Sequence, residues 1–132
     1  MIGIVVVTHG QLAAELVNAA RTIVGEVPRI AAVSIGWADD VAAARAAIEG
    51  ALAEVGEEAA LVLTDMFGGT PTNLSLPFLS DRVEIVTGVN LPMLIKLVSL
   101  REGDLVEVAR VVRDQGKDAI YVASEALEKK PT

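Results

Sequence analysis

The sequence predicts an α/β fold, a three-layer sandwich with a mainly parallel central sheet and helices on both faces. Three observations predict it. Short β-branched apolar runs alternate along the whole chain with stretches of helical periodicity. The apolar runs show little polar alternation, as strands covered on both faces do. Turn and cap residues punctuate each change of pattern.

Residues 2–7, Ile2-Gly3-Ile4-Val5-Val6-Val7, read as the first strand. Leu12, Leu16, Ala20 and Ile23 then recur at helical spacing, with Glu15, Asn18 and Arg21 opposite them, and Gly25 and Pro28 close that helix. Residues 30–35 read as strand two. Asp39 and Asp40 cap and charge the next helix, whose apolar stripe is Val41, Ala44, Ile48, Leu52 and Val55. Strand three covers residues 60–64. Thr70 is read as the N-cap of a third helix and Pro71 as its first residue; Pro77 should kink or end that helix early. Val83-Glu84-Ile85-Val86 reads as strand four. Asn90 caps a helix over 91–100, with Pro92 in its first turn, and Leu105, Val108 and Val112 mark another that ends near Gly116. Ala119-Ile120-Tyr121-Val122 reads as a last strand, and the tail from about residue 126, with Glu128-Lys129-Lys130-Pro131, as poorly ordered.

Composition bounds the function. At 132 residues the chain reads as one domain, 1–132, with a core of Val, Leu, Ile and Ala, because 52% of residues are hydrophobic and only 3% aromatic. The absence of cysteine excludes disulfide and thiolate chemistry, and one His without Cys argues against a structural metal; no cofactor is expected. A net charge of −7 argues against binding nucleic acid or an anionic membrane. No apolar run approaches the roughly 20 residues of a membrane helix, and no basic region precedes the apolar start. The chain therefore reads as soluble and cytoplasmic.

The chemistry-bearing residues gather at strand ends. His9, the only histidine, follows the first apolar run with only Thr8 between, at the edge where open α/β sheets bind ligands. Imidazole can move a proton or carry a group near neutral pH. Asp65 directly follows strand three and is a candidate to orient that ring; a carboxylate accepting from Nδ1–H would leave Nε2 as the nucleophile. Gly68-Gly69-Thr70-Pro71 then combines a backbone that a ligand can approach with a helix start, whose free N–H groups suit an anion. Singly, each feature has an ordinary structural reading: a His bonded to backbone, an Asp in a turn, a tight strand-to-helix connection. Together they suggest a phosphorylated histidine. No Gly-x-x-x-x-Gly-Lys-Ser/Thr pattern occurs, so phosphate is not expected to come from ATP directly, and no second His is present to serve a phosphatase.

Three segments carry a resemblance: Ile4-Val5-Val6-Val7-Thr8-His9-Gly10, Thr64 to Asn73 (TDMFGGTPTN) and Thr87-Gly88-Val89-Asn90-Leu91-Pro92-Met93-Leu94. In this order and spacing they resemble the mannose-type IIA domain of the phosphoenolpyruvate-dependent sugar phosphotransferase system, over residues 2 to about 123. The resemblance implies that His9 is phosphorylated on Nε2, with Asp65 as its hydrogen-bonded partner. It implies the phosphocarrier protein HPr as donor and a IIB component as acceptor. It also implies a homodimer in which the last strand is exchanged and pairs antiparallel. The chain reads as a free-standing IIA whose acceptor is a separate protein. Met66 and Phe67 stand where some members carry Thr and Trp, and are expected to be exposed docking residues beside His9. Three other readings remain: a regulatory IIA that moves no sugar, the phosphocarrier domain of a dihydroxyacetone kinase, and a flavodoxin-like protein that binds a small anion.

Overall fold

A computed structural model of the protein describes residues 1–56 and 58–128. The elements are β1 (Gly3–His9), α1 (Leu12–Val24), β2 (Ile30–Ile35), α2 (Val41–Val55), β3 (Ala60–Thr64), α3 (Thr70–Ser75), a 3-10 turn (Leu76–Phe78), β4 (Val83–Thr87), α4 (Leu91–Val98), α5 (Leu105–Asp118) and α6 (Ala123–Glu128). The four strands form one parallel sheet in the order β2-β1-β3-β4. The chain thus winds outward from β1 to β2, then crosses over to β3. The β1/β3 boundary is the point where the winding reverses, and loops leaving the two strands there diverge and open a crevice.

β1 and β3 run down the middle of the sheet, which explains their unbroken apolar sequence. Ile4, Val6, Leu61 and Leu63 face one layer with Ala13, Val17, Leu94, Leu97, Val108 and Val112 of α1, α4 and α5. Val5, Val7 and Val62 face the other, with Ala44, Ile48, Ala51 and Val55 of α2. Side chains alternate across a strand, so one run of valines and leucines feeds both cores. The layered sandwich read from the sequence is the observed fold.

Several punctuation residues act as expected, and Asp104 adds a cap that was not read from the sequence. Gly25 ends α1 at φ 89°. The carboxylates of Asp40 and Asp104 and the side-chain oxygen of Asn90 accept from the third residue of α2, α5 and α4 respectively. Helix α3 stops at Ser75, and Pro77 sits in the tighter turn that follows.

Three expectations about the helices are corrected. The buried stripe of α1 is Ala13, Val17 and Ala20, while Leu12 and Ile23 are exposed. Thr8 Oγ1 accepts from Ala13 N at 2.7 Å, and small Ala13 is thereby set against the sheet. In α2, Ala51 is buried, Leu52 only half-buried, and Val41 exposed. Gly69, extended at φ −89° and ψ 168°, is the N-cap of α3, so Thr70 is its first residue. Residues 119–122, read as a last strand exchanged between two subunits, join no strand of this chain's own sheet: they leave α5 with Ile120, Tyr121 and Val122 exposed. β-branched residues favour a strand only where a ladder partner exists, and the single chain supplies none there. Residues 126–128, read as tail, belong to α6, and residues 129–132 lie outside the described residues.

The sheet has two edge strands, β2 and β4, each with one side open. β4 pairs with β3 alone and is half-buried throughout. A groove beside it is lined by Phe67, Leu76, Leu79, Ile85, Val106 and Arg110, among others.

Candidate functional site

His9 is the last residue of β1, and Asp65 is the first residue after β3. Parallel pairing of these two strands in register, Val7 against Thr64, brings their ends together at the β1/β3 crevice. One carboxylate oxygen, Asp65 Oδ2, accepts two hydrogen bonds from His9: from its backbone N at 2.9 Å and from ring Nδ1 at 2.8 Å. A carboxylate can only accept, so Nδ1 carries the hydrogen and Nε2 is the free nitrogen of the neutral ring. Asp65 Oδ1 is buried without a protein partner. The carboxylate's interactions are therefore concentrated on His9. Both side chains remain partly accessible, at 21% for His9 and 14% for Asp65.

The turn after His9 is fixed by backbone. Gly10 takes φ +57°, a conformation costly for other residues, and its N–H donates to Ile35 O at 2.8 Å, binding the end of β2 to this turn. The second turn is fixed by threonines. Thr72 Oγ1 donates to Met66 O at 2.6 Å and lies 2.7 Å from Thr64 Oγ1. Gly68 takes φ +85°.

This turn brings Gly69 against the ring. A Cβ at Gly69 would lie 2.8 Å from His9 Cε1 and 3.4 Å from Nε2. Only glycine leaves room for the imidazole there. The free nitrogen thus faces the start of α3, where the first N–H groups of a helix have no intrahelical acceptor. Thr70 is exposed at that start. Met66 and Phe67 are exposed in the same turn, at 54% and 77%.

So the structure brings His9, Asp65 and Gly69 into one arrangement and sets Met66, Phe67, Gly68 and Thr70 around it. It also adds a residue that the sequence reading missed. The indole of Trp37 stacks on the His9 ring, with centroids 5.0 Å apart and planes 17° from parallel. A signal for it was present: Trp37 is the only tryptophan in a chain poor in aromatics, and it lies two residues beyond the end of strand two, at the same edge.

Chemically, this is an imidazole with its tautomer set, one nitrogen open, and main chain positioned at that nitrogen. Comparisons with known proteins concern the chain as a whole. Residues 3–112 match the family model described as the PTS system fructose IIA component. The chain is 32% identical to the PTS system fructose-specific EIIA component of Bacillus subtilis (strain 168), covering all of this chain and 93% of that protein. It is 30% identical to the PTS system mannose-specific EIIAB component of Escherichia coli (strain K12), of whose length it spans only 41%. Among solved structures, the mannose/sorbose specific IIA subunit from Enterococcus faecalis superposes with a TM-score of 0.85 at 28% identity, over 92% of this chain and 93% of that one. The PTS IIA protein associated with the fucose utilization operon of Streptococcus pneumoniae gives 0.84 at 26% identity, over 95% of each.

Proposed function

Because the chain belongs to the family of PTS system fructose IIA components, phosphoryl carriers of the sugar phosphotransferase system, we propose that His9 is the residue that carries the phosphoryl group, on Nε2. The observation that supports this most is the pair of hydrogen bonds to Asp65 Oδ2, which leaves Nε2 as the one free ring nitrogen.

The transfer can be followed atom by atom. The Nε2 lone pair forms a bond to phosphorus as the donor's P–N bond breaks, and the electron pair of that bond returns to the donor nitrogen. Nδ1 keeps its proton throughout, held by Asp65. Main-chain N–H groups at Gly69 and Thr70, with Gly68 shaping the approach, receive the phosphoryl oxygens; donors aimed at developing charge are the main resource in such transfers. The donor is HPr and the acceptor a separate IIB component during sugar uptake. Met66 and Phe67 form the apolar contact for these partners, since exposed apolar residues beside a reactive group suit a docking surface.

The carrier works in the cytoplasm. Among the described residues no helix is long and apolar enough to cross a membrane. It acts as a homodimer, in which Ile120, Tyr121 and Val122 pair with the open β4 side of a second copy. Their exposure and the apolar groove beside β4 support this.

Labelling tests the central step. Incubation with phosphoenolpyruvate, enzyme I and HPr should place acid-labile, base-stable phosphate on the wild type and none on His9→Ala, which should stay folded. Label persisting in His9→Ala would refute the assignment.

A further inference from the structure

Trp37 is the largest side chain on the surface, and the core does not place it: the residue is 84% exposed. A short turn after β2 places it instead. Gly36 N donates to Asp39 Oδ2 at 2.6 Å, and Asp39 N donates to Gly36 O at 3.2 Å, closing the turn around Trp37 and Ala38. A Cβ at Gly36 would lie 2.6 Å from Asp39 Oδ1, so a side chain there would displace the carboxylate that closes the turn. The turn is anchored beside His9 through the bond from Gly10 N to Ile35 O. The result is an indole laid flat on an imidazole, at a spacing and tilt that suit an offset aromatic stack.

The His9 ring is therefore held from three directions: Asp65 on Nδ1, Gly69 along the Cε1–Nε2 edge, and Trp37 over one face. The first two fix its tautomer and its in-plane position. Only the third responds to its charge through the π face. When Nε2 gives its lone pair to phosphorus while Nδ1 keeps its proton, the ring becomes cationic. When the group leaves, the pair returns to Nε2 and the ring is neutral again. The face of an indole attracts a cation and prefers it over a neutral ring.

We infer that Trp37 is a positioning residue for His9, whose indole holds the imidazole's orientation and stabilises the cationic ring of the phosphorylated state. The inference rests on His9 being the phosphorylated residue. Its consequence is on the equilibrium of transfer: the stack favours retention of the phosphoryl group by this chain relative to its donor.

Two readouts test it. In the resting protein, the indole ring current should shift the NMR resonances of the His9 ring protons upfield. Trp37→Ala should remove that shift and Trp37→Phe should keep part of it. This measurement needs no phosphorylation, so it stands even if His9 takes no label. In the second readout, each variant is equilibrated with phosphorylated HPr and the phosphorylated fraction is measured. Trp37→Ala should move the equilibrium about two- to fivefold toward HPr, the size of a solvent-exposed cation–π contact. Trp37→Phe should recover most of that loss. Unshifted His9 resonances would show that the stack does not exist in solution. A Trp37→Ala equilibrium equal to the wild type, or a Trp37→Phe as poor as Trp37→Ala, would overturn the role in stabilising the cation. Absence of label on wild-type His9 would instead defeat the phosphocarrier reading itself.

Discussion

At the scale of single residues, the site depends on a side chain that is absent. Gly69 has an extended backbone that alanine adopts freely, so the only obstacle to Gly69→Ala is what its Cβ meets: His9 Cε1 at 2.8 Å and Met66 Cγ at 3.2 Å. The imidazole would have to move by a few tenths of an ångström or more. Gly69→Ala should therefore melt within a few degrees of the wild type while phosphoryl transfer falls at least about tenfold, since misplacement by about 1 Å can cost a hundredfold. Stopped transfer assays beside thermal melts would check this, and an unimpaired rate would show that the ring is not confined at that edge. His9 and Asp65 were legible from sequence because each directly ends an apolar strand, and parallel strands deliver such residues to one edge. Trp37 was not. Its meeting with His9 depends on β2 lying next to β1 and on the tight turn at Gly36–Asp39, neither of which is a spacing along the chain.

At the scale of elements, the β3–α3 connection separates its structural work from its exposed residues. Thr64, Thr72 and the carbonyl of Met66 hold the turn in a hydrogen-bonded cluster that does not involve the Phe67 side chain. Phe67→Ala should accordingly change stability by no more than about 0.5 kcal/mol, as for a surface site. Transfer from HPr should slow by about tenfold if Phe67 anchors the partner, the loss expected of a central aromatic contact. Chemical denaturation and single-turnover transfer measure the two separately; an unchanged rate would remove Phe67 from the docking surface. The positions of β1 to β4 and the caps at Asp40 and Asn90 were readable because each is set by local chemistry: an apolar run, or an Asp or Asn before a helix. The phase of α1 was not, because Leu12, Leu16, Ala20 and Ile23 form one apolar ladder, Ala13, Val17 and Ala20 form another, and the two share Ala20. The bond from Thr8 Oγ1 to Ala13 N selects the second.

At the scale of the whole molecule, assembly is the part that a single chain's sequence pattern could only suggest. A strand is defined by its ladder, and residues 119–122 have none within this chain's sheet. Light scattering at micromolar concentration should give the mass of a dimer, and a monomer there would contradict the proposed assembly. Within one chain, the end of the sheet opposite the site is tied by Arg101, buried at 5% exposure. Its guanidinium donates to Ile2 O at 2.9 Å, to Arg29 O at 2.8 Å and to Pro28 O. Burial, with the nearby charge of Arg29, lowers its pKa from the usual guanidinium value. Arg101→Met would take the guanidinium from three carbonyls, of which Arg29 O keeps its bond from Ile4 N, and should cost about 2 kcal/mol or more. Urea titration would measure this, and a loss under about 1 kcal/mol would show that the carbonyls find other partners.

That tie spans 99 positions, which sets a schedule for the growing chain. The most apolar strand, β1, is made first, yet its neighbour β3 begins only at Ala60 and its clamp at Arg101 comes later still. At about 5–20 residues per second, Ile2 waits about 5–20 s for its final hydrogen bond. During translation the nascent chain therefore presents the centre of its future core to solvent, and β1 stays uncovered until β3 and then Arg101 have been made.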